Sequence, residues 1–263
     1  MPELIIPLLA AVAYLLAAVG LVRSVQADNT KLRRVLWLAL PAIALHAATH
    51  ALGWTHLRGP DLHFFAALSL VALGMAAFST LAAVTQRMQA LGVVVYPMAA
   101  LMVLLYHYAG HGGAQGLDWR LQLHAWLALL AYAALSIGTL LALMLWFQER
   151  ALRRRQLHGW LRALPPLVQL EELLFRSLGA SFVLLTLALV TGVMFVENLL
   201  AQHLWHKTVL SVLSWIVLGV LLFGRWRFGW RGRRAVKLTL TSMALLLLAF
   251  FGSKYVLEML LER

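Results

Sequence analysis

The sequence predicts an all-α integral membrane protein, a bundle of about eight transmembrane helices with both termini outside. Three observations predict it. Hydrophobic residues make up 62% of the 263 and charged residues only 12%, where a soluble chain carries about a quarter charged. Eight apolar runs reach the roughly 20 residues that a spanning helix needs. The density of Lys and Arg alternates from one loop to the next. This composition excludes a soluble enzyme and a disordered chain, since neither has anywhere to put so much apolar surface.

The runs fall at about 4–22, 35–54, 63–85, 91–109, 123–147, 177–198, 208–224 and 236–257, within a single membrane domain, 1–263. The first, in MPELIIPLLAAVAYLLAAVGLV, lacks a basic flank before it and is read as a retained helix, not a signal peptide. The second carries His46 and His50 inside its apolar stretch. Gly92 and Pro97 interrupt the fourth, which ends near His107. The fifth is headed by His124. Each run must be helical, because lipid offers backbone groups no partner. Segment 148–176 sets Leu157, Trp160, Leu161, Leu164 and Leu167 among arginines, with Pro165-Pro166 between. It reads as a cytoplasmic interfacial segment lying against lipid headgroups.

Of the 22 Lys and Arg residues, 17 fall in the first, third, fifth and seventh loops and five on the other side. Positive charge marks the cytoplasmic side, so both ends should lie outside. The net charge of +12 is therefore a signal of orientation. Membrane lipid is the partner it implies, and nucleic acid is not. There is no cysteine, which excludes disulfides, thiolate metal sites and covalent c-type haem attachment to this chain.

With this topology nine of the ten histidines lie in the outer half, and only His158 lies inside. Imidazole ligates haem iron and transition metals and relays protons. For His56, His63, His111 and His203 the plainer reading is an amphipathic ring at an interface. His46 and His50 are four apart, so they share one helix face. Ionisable residues at such depth usually have a role, and two neutral histidines bonding neighbouring helices are the alternative. From His124, the residues Ala128, Ala131, Tyr132, Leu135, Ser136, Thr139 and Ala142 share one broad side. That side suits an embedded ligand or close helix packing. The HxxxH pairs His46/His50 and His107/His111 lack the adjacent Glu of a zinc protease, having Ala47 and Tyr108 there. Glu197 is the one acid well inside a span, too few for a carboxylate-driven transporter. No Walker, Rossmann or nucleophile motif is present, and no catalytic residue is assigned.

Several segments have a familiar order. They are His124-Ala-Trp-Leu-Ala-Leu-Leu-Ala-Tyr132, Phe175-Arg176-Ser-Leu-Gly179 running on to Thr191-Gly192, then Lys207, Trp215, Gly229-Trp230-Arg231-Gly232 and Phe250-Phe251-Gly252. Together they resemble the cytochrome c assembly family of membrane haem-handling proteins, which includes the CcsA, CcmC and HemX types, and within it the small inner-membrane branch of the YpjD type. The resemblance implies a multi-pass protein of the bacterial inner membrane that handles haem. It implies His124 as an outer-face iron ligand and His46 as an early membrane-embedded one. The sequence departs from the family's synthases in three places. Segment 198–207 has one Trp where they have several, and Phe223 and Leu261 stand where histidines are expected. This implies a protein that is not itself a cytochrome c synthase.

The function expected is thus binding or handling of a non-covalent b-type haem, with a cytochrome c maturation or electron-transfer protein as partner. His124 and His46 are the candidate iron ligands; His50, His107, Tyr132 and His206 are further candidates for the cofactor site. At 1.5 Å per residue, His46 lies about 3 Å outward of its helix centre, His50 about 9 Å, His107 about 10 Å and His124 about 15 Å. By depth His50 or His107 suits His124 better, so His46 and His124 are open to serving two positions. The competing function is a non-catalytic membrane accessory or transport-related protein on the same scaffold, without haem.

Overall fold

The computed structural model describes residues 2–26, 32–57, 59–86, 88–109, 118–154, 165–195 and 205–255. Among them the chain forms eight long helices: α1 Pro2–Gln26, α2 Leu32–Leu57, α3 Phe64–Gln86, α4 Gln89–Tyr108, α5 Trp119–Arg153, α6 Leu167–Phe195, α7 Trp205–Phe228 and α8 Arg233–Leu247. A π-helical turn, Leu248–Gly252, and a short α9, Ser253–Tyr255, continue α8. No β-strand occurs among the described residues.

Each of the eight apolar runs coincides with a helix. Among the described residues seven helices are long and apolar enough to cross a membrane, counting Arg233–Tyr255 as one. The eighth, α2, spans 26 residues and carries His46, Thr49 and His50 within its apolar stretch. Pro97 does not break α4, which runs through it over 20 residues. α5 is 35 residues long and α6 29, both longer than the hydrocarbon they would cross. Most of segment 148–176 therefore belongs to the end of α5 and the start of α6. Residues 155–164, with Leu157, His158, Trp160, Leu161 and Leu164, lie outside the described residues.

Two compact units divide the chain, Met1–Leu117 and Asp118–Arg263. In the first, α1 packs on α2 and α4, and α3 packs on α4 and α2. The buried face of α1 is Ala10, Tyr14, Ala17 and Leu21, at helical spacing. Its other face, Leu8, Leu9, Val12, Leu15, Leu16 and Val19, is apolar and exposed, as a lipid-facing surface is.

In the second unit α5 packs most extensively on α6 and also on α8, while α7 packs on α6 and α8. Hydroxyls join these helices across the apolar interior. Ser177 Oγ donates to the Ala134 carbonyl at 2.6 Å and Ser181 Oγ to the Ala131 carbonyl at 3.1 Å. Ser214 and Ser242 hydroxyls meet at 2.7 Å, and Trp215 Nε1 donates to Thr186 Oγ1 at 2.8 Å. Such bonds contribute about 0.6 kcal/mol each on average in membrane bundles. The small side of α5 below His124 is thus used largely for close packing against α6.

Candidate functional site

His124 sits in the second turn of α5. Its Nδ1 lies 2.8 Å from the carbonyl oxygen of Ala188 on α6, with Thr191 Oγ1 at 3.4 Å. A carbonyl can only accept, so Nδ1 carries the proton and Nε2 is left with the lone pair. Asp118, the acidic residue nearest to this ring in sequence, lies 3.9 Å from Arg120, and both are exposed. Asp118 precedes the helix at its water-facing end, whereas the His124 ring turns sideways onto α6.

Gly192 makes that sideways placement possible. A Cβ there would come within 3.1 Å of His124 Cε1 and 3.4 Å of Nδ1, so the missing side chain leaves room for the ring close beside α6. His124 also lines a cavity of about 250 Å³ together with Ala128, Tyr132, Leu189, Val212 and Phe250. The walls are mainly apolar, with Lys207, Thr208 and Ser211 supplied by the first turns of α7.

Tyr132, two turns below His124, lines the same cavity. Its hydroxyl donates to the Leu246 carbonyl, just before the π-helical turn. Its ring stands edge-on to Phe251 at 5.3 Å. Tyr132 therefore ties α5 to α8 at the floor of the cavity. A π-turn often marks a functional position, and here it brings Ala249 and Phe250 to the cavity wall.

In the first unit His46 and His50 do share a face. His46 Nε2 lies 2.8 Å and His50 Nε2 3.0 Å from the one hydroxyl of Ser69 on α3. His46 Nδ1 faces the Tyr14 hydroxyl of α1 at 3.3 Å. His46 is fully buried, and both its ring nitrogens are engaged. The His50 ring stacks on Tyr106 of α4 at 4.3 Å. Nearby, His63 Nδ1 lies 2.7 Å from Asp61 Oδ1, and its ring stacks on Tyr106 at 5.8 Å. Tyr14, Ser69, Asp61 and Tyr106 were not singled out by sequence reasoning. The available signal was that each is polar within or beside an apolar run.

The other candidates are placed separately. His107 ends α4, half-buried, with its ring edge-on to Tyr108 at 5.1 Å. His206, in the first turn of α7, is half-buried but is not among the residues lining the cavity, where its neighbour Lys207 stands. His56 falls in the last turn of α2. His111, His158, His203, Glu197 and Leu261 lie outside the described residues. Among the described residues no group of three or more His, Cys, Asp or Glu side chains could hold a metal ion. A haem iron needs only one or two protein ligands, so that finding bears on bare metal ions alone.

Comparison with known proteins gives a consistent result. The model of a family described as Cytochrome C assembly protein matches residues 43–261. Inner membrane protein YpjD of Escherichia coli (strain K12) is 33% identical over 261 residues, covering 96% of this chain and 98% of that protein. Protein HemX of Brevibacillus brevis is 29% identical over 131 residues, 49% of this chain and 48% of its own. Cytochrome c biogenesis protein CcsA of Prochlorococcus marinus is 27% identical over 158 residues, 51% of this chain and 50% of its own. No solved structure matches the chain.

Proposed function

Because the chain belongs to the cytochrome c assembly protein family and is a multi-pass inner-membrane protein, we propose that it binds or handles a non-covalent b-type haem in the cavity headed by His124. One observation carries this reading. The His124 ring is oriented by a backbone carbonyl on Nδ1 and lines a mainly apolar cavity. Iron-ligating histidines are held in that way, with the second nitrogen bonded to a carbonyl or carboxylate that fixes the tautomer. When bound, haem supplies the redox-active or transferable iron centre. The chain's part is to offer Nε2 of His124, to hold its ring through Ala188 and Gly192, and to exclude water with Tyr132, Leu189, Val212 and Phe250. The Lys207 ammonium at the rim suits a carboxylate of the ligand.

His46, in the first unit, can ligate an iron of its own only if it releases Tyr14 or Ser69. His50, His107 and His206 remain candidates for the same position or another. The family's character supports a cytochrome c maturation or electron-transfer protein as partner. The loop charges support eight spans with both termini outside, α2 included. Phe223, where the synthases have a histidine, is 54% exposed on α7, which supports a role other than haem attachment.

A second reading is favoured by a specific observation. His46 is closed into a complete hydrogen-bonded set with Ser69 and Tyr14, which suits a membrane accessory or transport-related protein that has lost haem. The absorption spectrum of the full-length protein, purified after expression with ample haem, separates the two. A Soret band that falls with His124→Ala supports haem at this cavity. A colourless protein that also fails to take up added haemin refutes it.

A further inference from the structure

The end of the second unit where α5 stops and α8 starts carries an unusual concentration of positive charge. A cavity of about 220 Å³ is lined there by Trp146, Glu149, Arg150, Arg153, Arg154 and Arg233. Four guanidiniums face one carboxylate. Among the described residues Arg153, Arg154 and Arg233 enter no ion pair, and Arg150 lies over the Trp146 ring at 5.5 Å. The other nearby carboxylate, Glu171, is already 3.9 Å from Arg225 and 3.7 Å from Arg231, and it accepts from the Gly232 N–H at 3.3 Å. Gly232 has φ of +54°, and a Cβ there would lie 2.7 Å from Glu149 Oε1. The turn thus brings the first residues of α8 right up to the end of α5.

Basic residues in the last turn of α5 complement the helix dipole, which accounts for part of this charge. That dipole amounts to about half an elementary charge, far less than four guanidiniums. The first N–H groups of α8 add to the positive side. These exposed guanidiniums leave positive charge available to an anion.

A second cavity shows which anion fits. It measures about 380 Å³, shares Trp146 and Arg233 with the first, and is otherwise lined by Leu143, Val236, Lys237 and Leu240. The two helices run in opposite directions here, so Leu143 and Leu240 lie at one level, inward of the arginines. From Arg153 to Leu143 is about 15 Å along α5, and from Arg233 to Leu240 about 10 Å along α8. An arginine-lined head therefore opens onto an apolar slot that runs toward the hydrocarbon, with Trp146 at the boundary where interfacial aromatics sit. A free phosphate would use the head and leave the slot idle. A phospholipid uses both.

We propose that this is a binding site for one anionic phospholipid. Arg150, Arg153, Arg154 and Arg233 hold its phosphodiester, and an acyl chain lies in the slot between Leu143 and Leu240. The site is independent of the haem reading, since it shares no residue with the His124 cavity.

The test uses the full chain in detergent, equilibrated with mixed phosphatidylglycerol and phosphatidylcholine and then washed, with retained lipid measured by mass spectrometry. The wild type is expected to retain phosphatidylglycerol selectively. Each guanidinium near a membrane surface contributes about fivefold to anionic lipid binding, so Arg153→Gln with Arg233→Gln should lower retention about 25-fold. Arg120→Gln, outside the site, should leave it unchanged. Should the double variant not fold, Arg154→Gln alone carries the test, with an expected fall of about fivefold. Leu143→Trp fills the slot and keeps every charge, so it should also lower phosphatidylglycerol retention. Equal retention of the two lipids, or unchanged retention in the arginine variants, would overturn the proposal. So would inorganic phosphate that displaces the lipid fully, combined with no effect of Leu143→Trp, because the site would then belong to a free anion.

Discussion

Gly192→Ala tests the link between α6 packing and the His124 site. A methyl at Gly192 would stand 3.1 Å from His124 Cε1, whereas carbon atoms prefer about 3.5–4.0 Å. The ring must withdraw by about 0.5 Å, away from α6. That motion stretches the 2.8 Å bond from Nδ1 to Ala188 beyond the ordinary range. A bond of this kind contributes about 0.5–1.5 kcal/mol, and loosening the partner of a metal-bound histidine typically costs about 10–100-fold in affinity. Gly179→Ala on the same helix is the comparison, since a Cβ there meets nothing within 4 Å. Both substitutions raise helix propensity by about 0.5–1 kcal/mol. Gly179→Ala should therefore raise thermal stability and leave haem binding unchanged. Gly192→Ala should show little gain in stability and bind haem at least about tenfold more weakly. Haemin titration followed at the Soret band reads the affinity, and thermal unfolding in detergent reads the stability. Equal haem affinity in the two variants, with an unshifted spectrum, would refute the argument that α6 positions the ring.

His124→Ala should abolish the Soret band or shift it toward a high-spin form, while His158→Ala leaves the spectrum as in the wild type. Ser69→Ala removes the shared partner of His46 and His50, and should destabilise the protein by about 1–3 kcal/mol in unfolding assays. A smaller cost than that of Thr55→Ala, an exposed threonine whose hydroxyl bonds only its own helix, would contradict the network. Reporter fusions after residues 28, 88, 160 and 230 should report the cytoplasm, and those after 58, 115, 203 and 263 the outer side; reversal at two consecutive loops refutes the eight-span topology. Expression in a strain lacking its cytochrome c synthase should not restore covalent haem attachment, and restoration would refute the reading drawn from Phe223 and segment 198–207.

The positions of the helices were legible because apolar length is what hydrocarbon demands. Their ends were not, because hydropathy reports where lipid stops and not where a helix stops. Gln148, Glu149 and Arg150 end the apolar run, yet all are good helix formers, and α5 continues to Arg153. α6 likewise begins at Leu167, directly after Pro165-Pro166, ten residues before its apolar run. Gly92 and Pro97 suggested an interruption in α4, but neighbouring helices in a bundle compensate the lost backbone bond. α2 differs in another way, since it sets the polar residues His46, Thr49 and His50 inside its apolar stretch.

The histidines divide along a similar line. The four-residue spacing of His46 and His50 was enough to put them on one face, and the plainer alternative, bonds to a neighbouring helix, describes what Ser69 does. Ser69 itself carried no signal, because a lone serine in an apolar run is ordinary in membrane helices. The partner of His124 was beyond the reach of sequence for a stronger reason. Ala188 contributes a carbonyl, which every residue has, from 64 positions away. What sequence did contain was Gly192, whose missing side chain is the complement of an imidazole. A ligand must keep a lone pair available. His124 gives one nitrogen to the protein, whereas His46 gives both. The two rings that the family resemblance ranked together are therefore chemically unequal in this fold: His124 keeps the lone pair of Nε2, and in His46 both nitrogens are held by bonds that join α2 to α1 and α3.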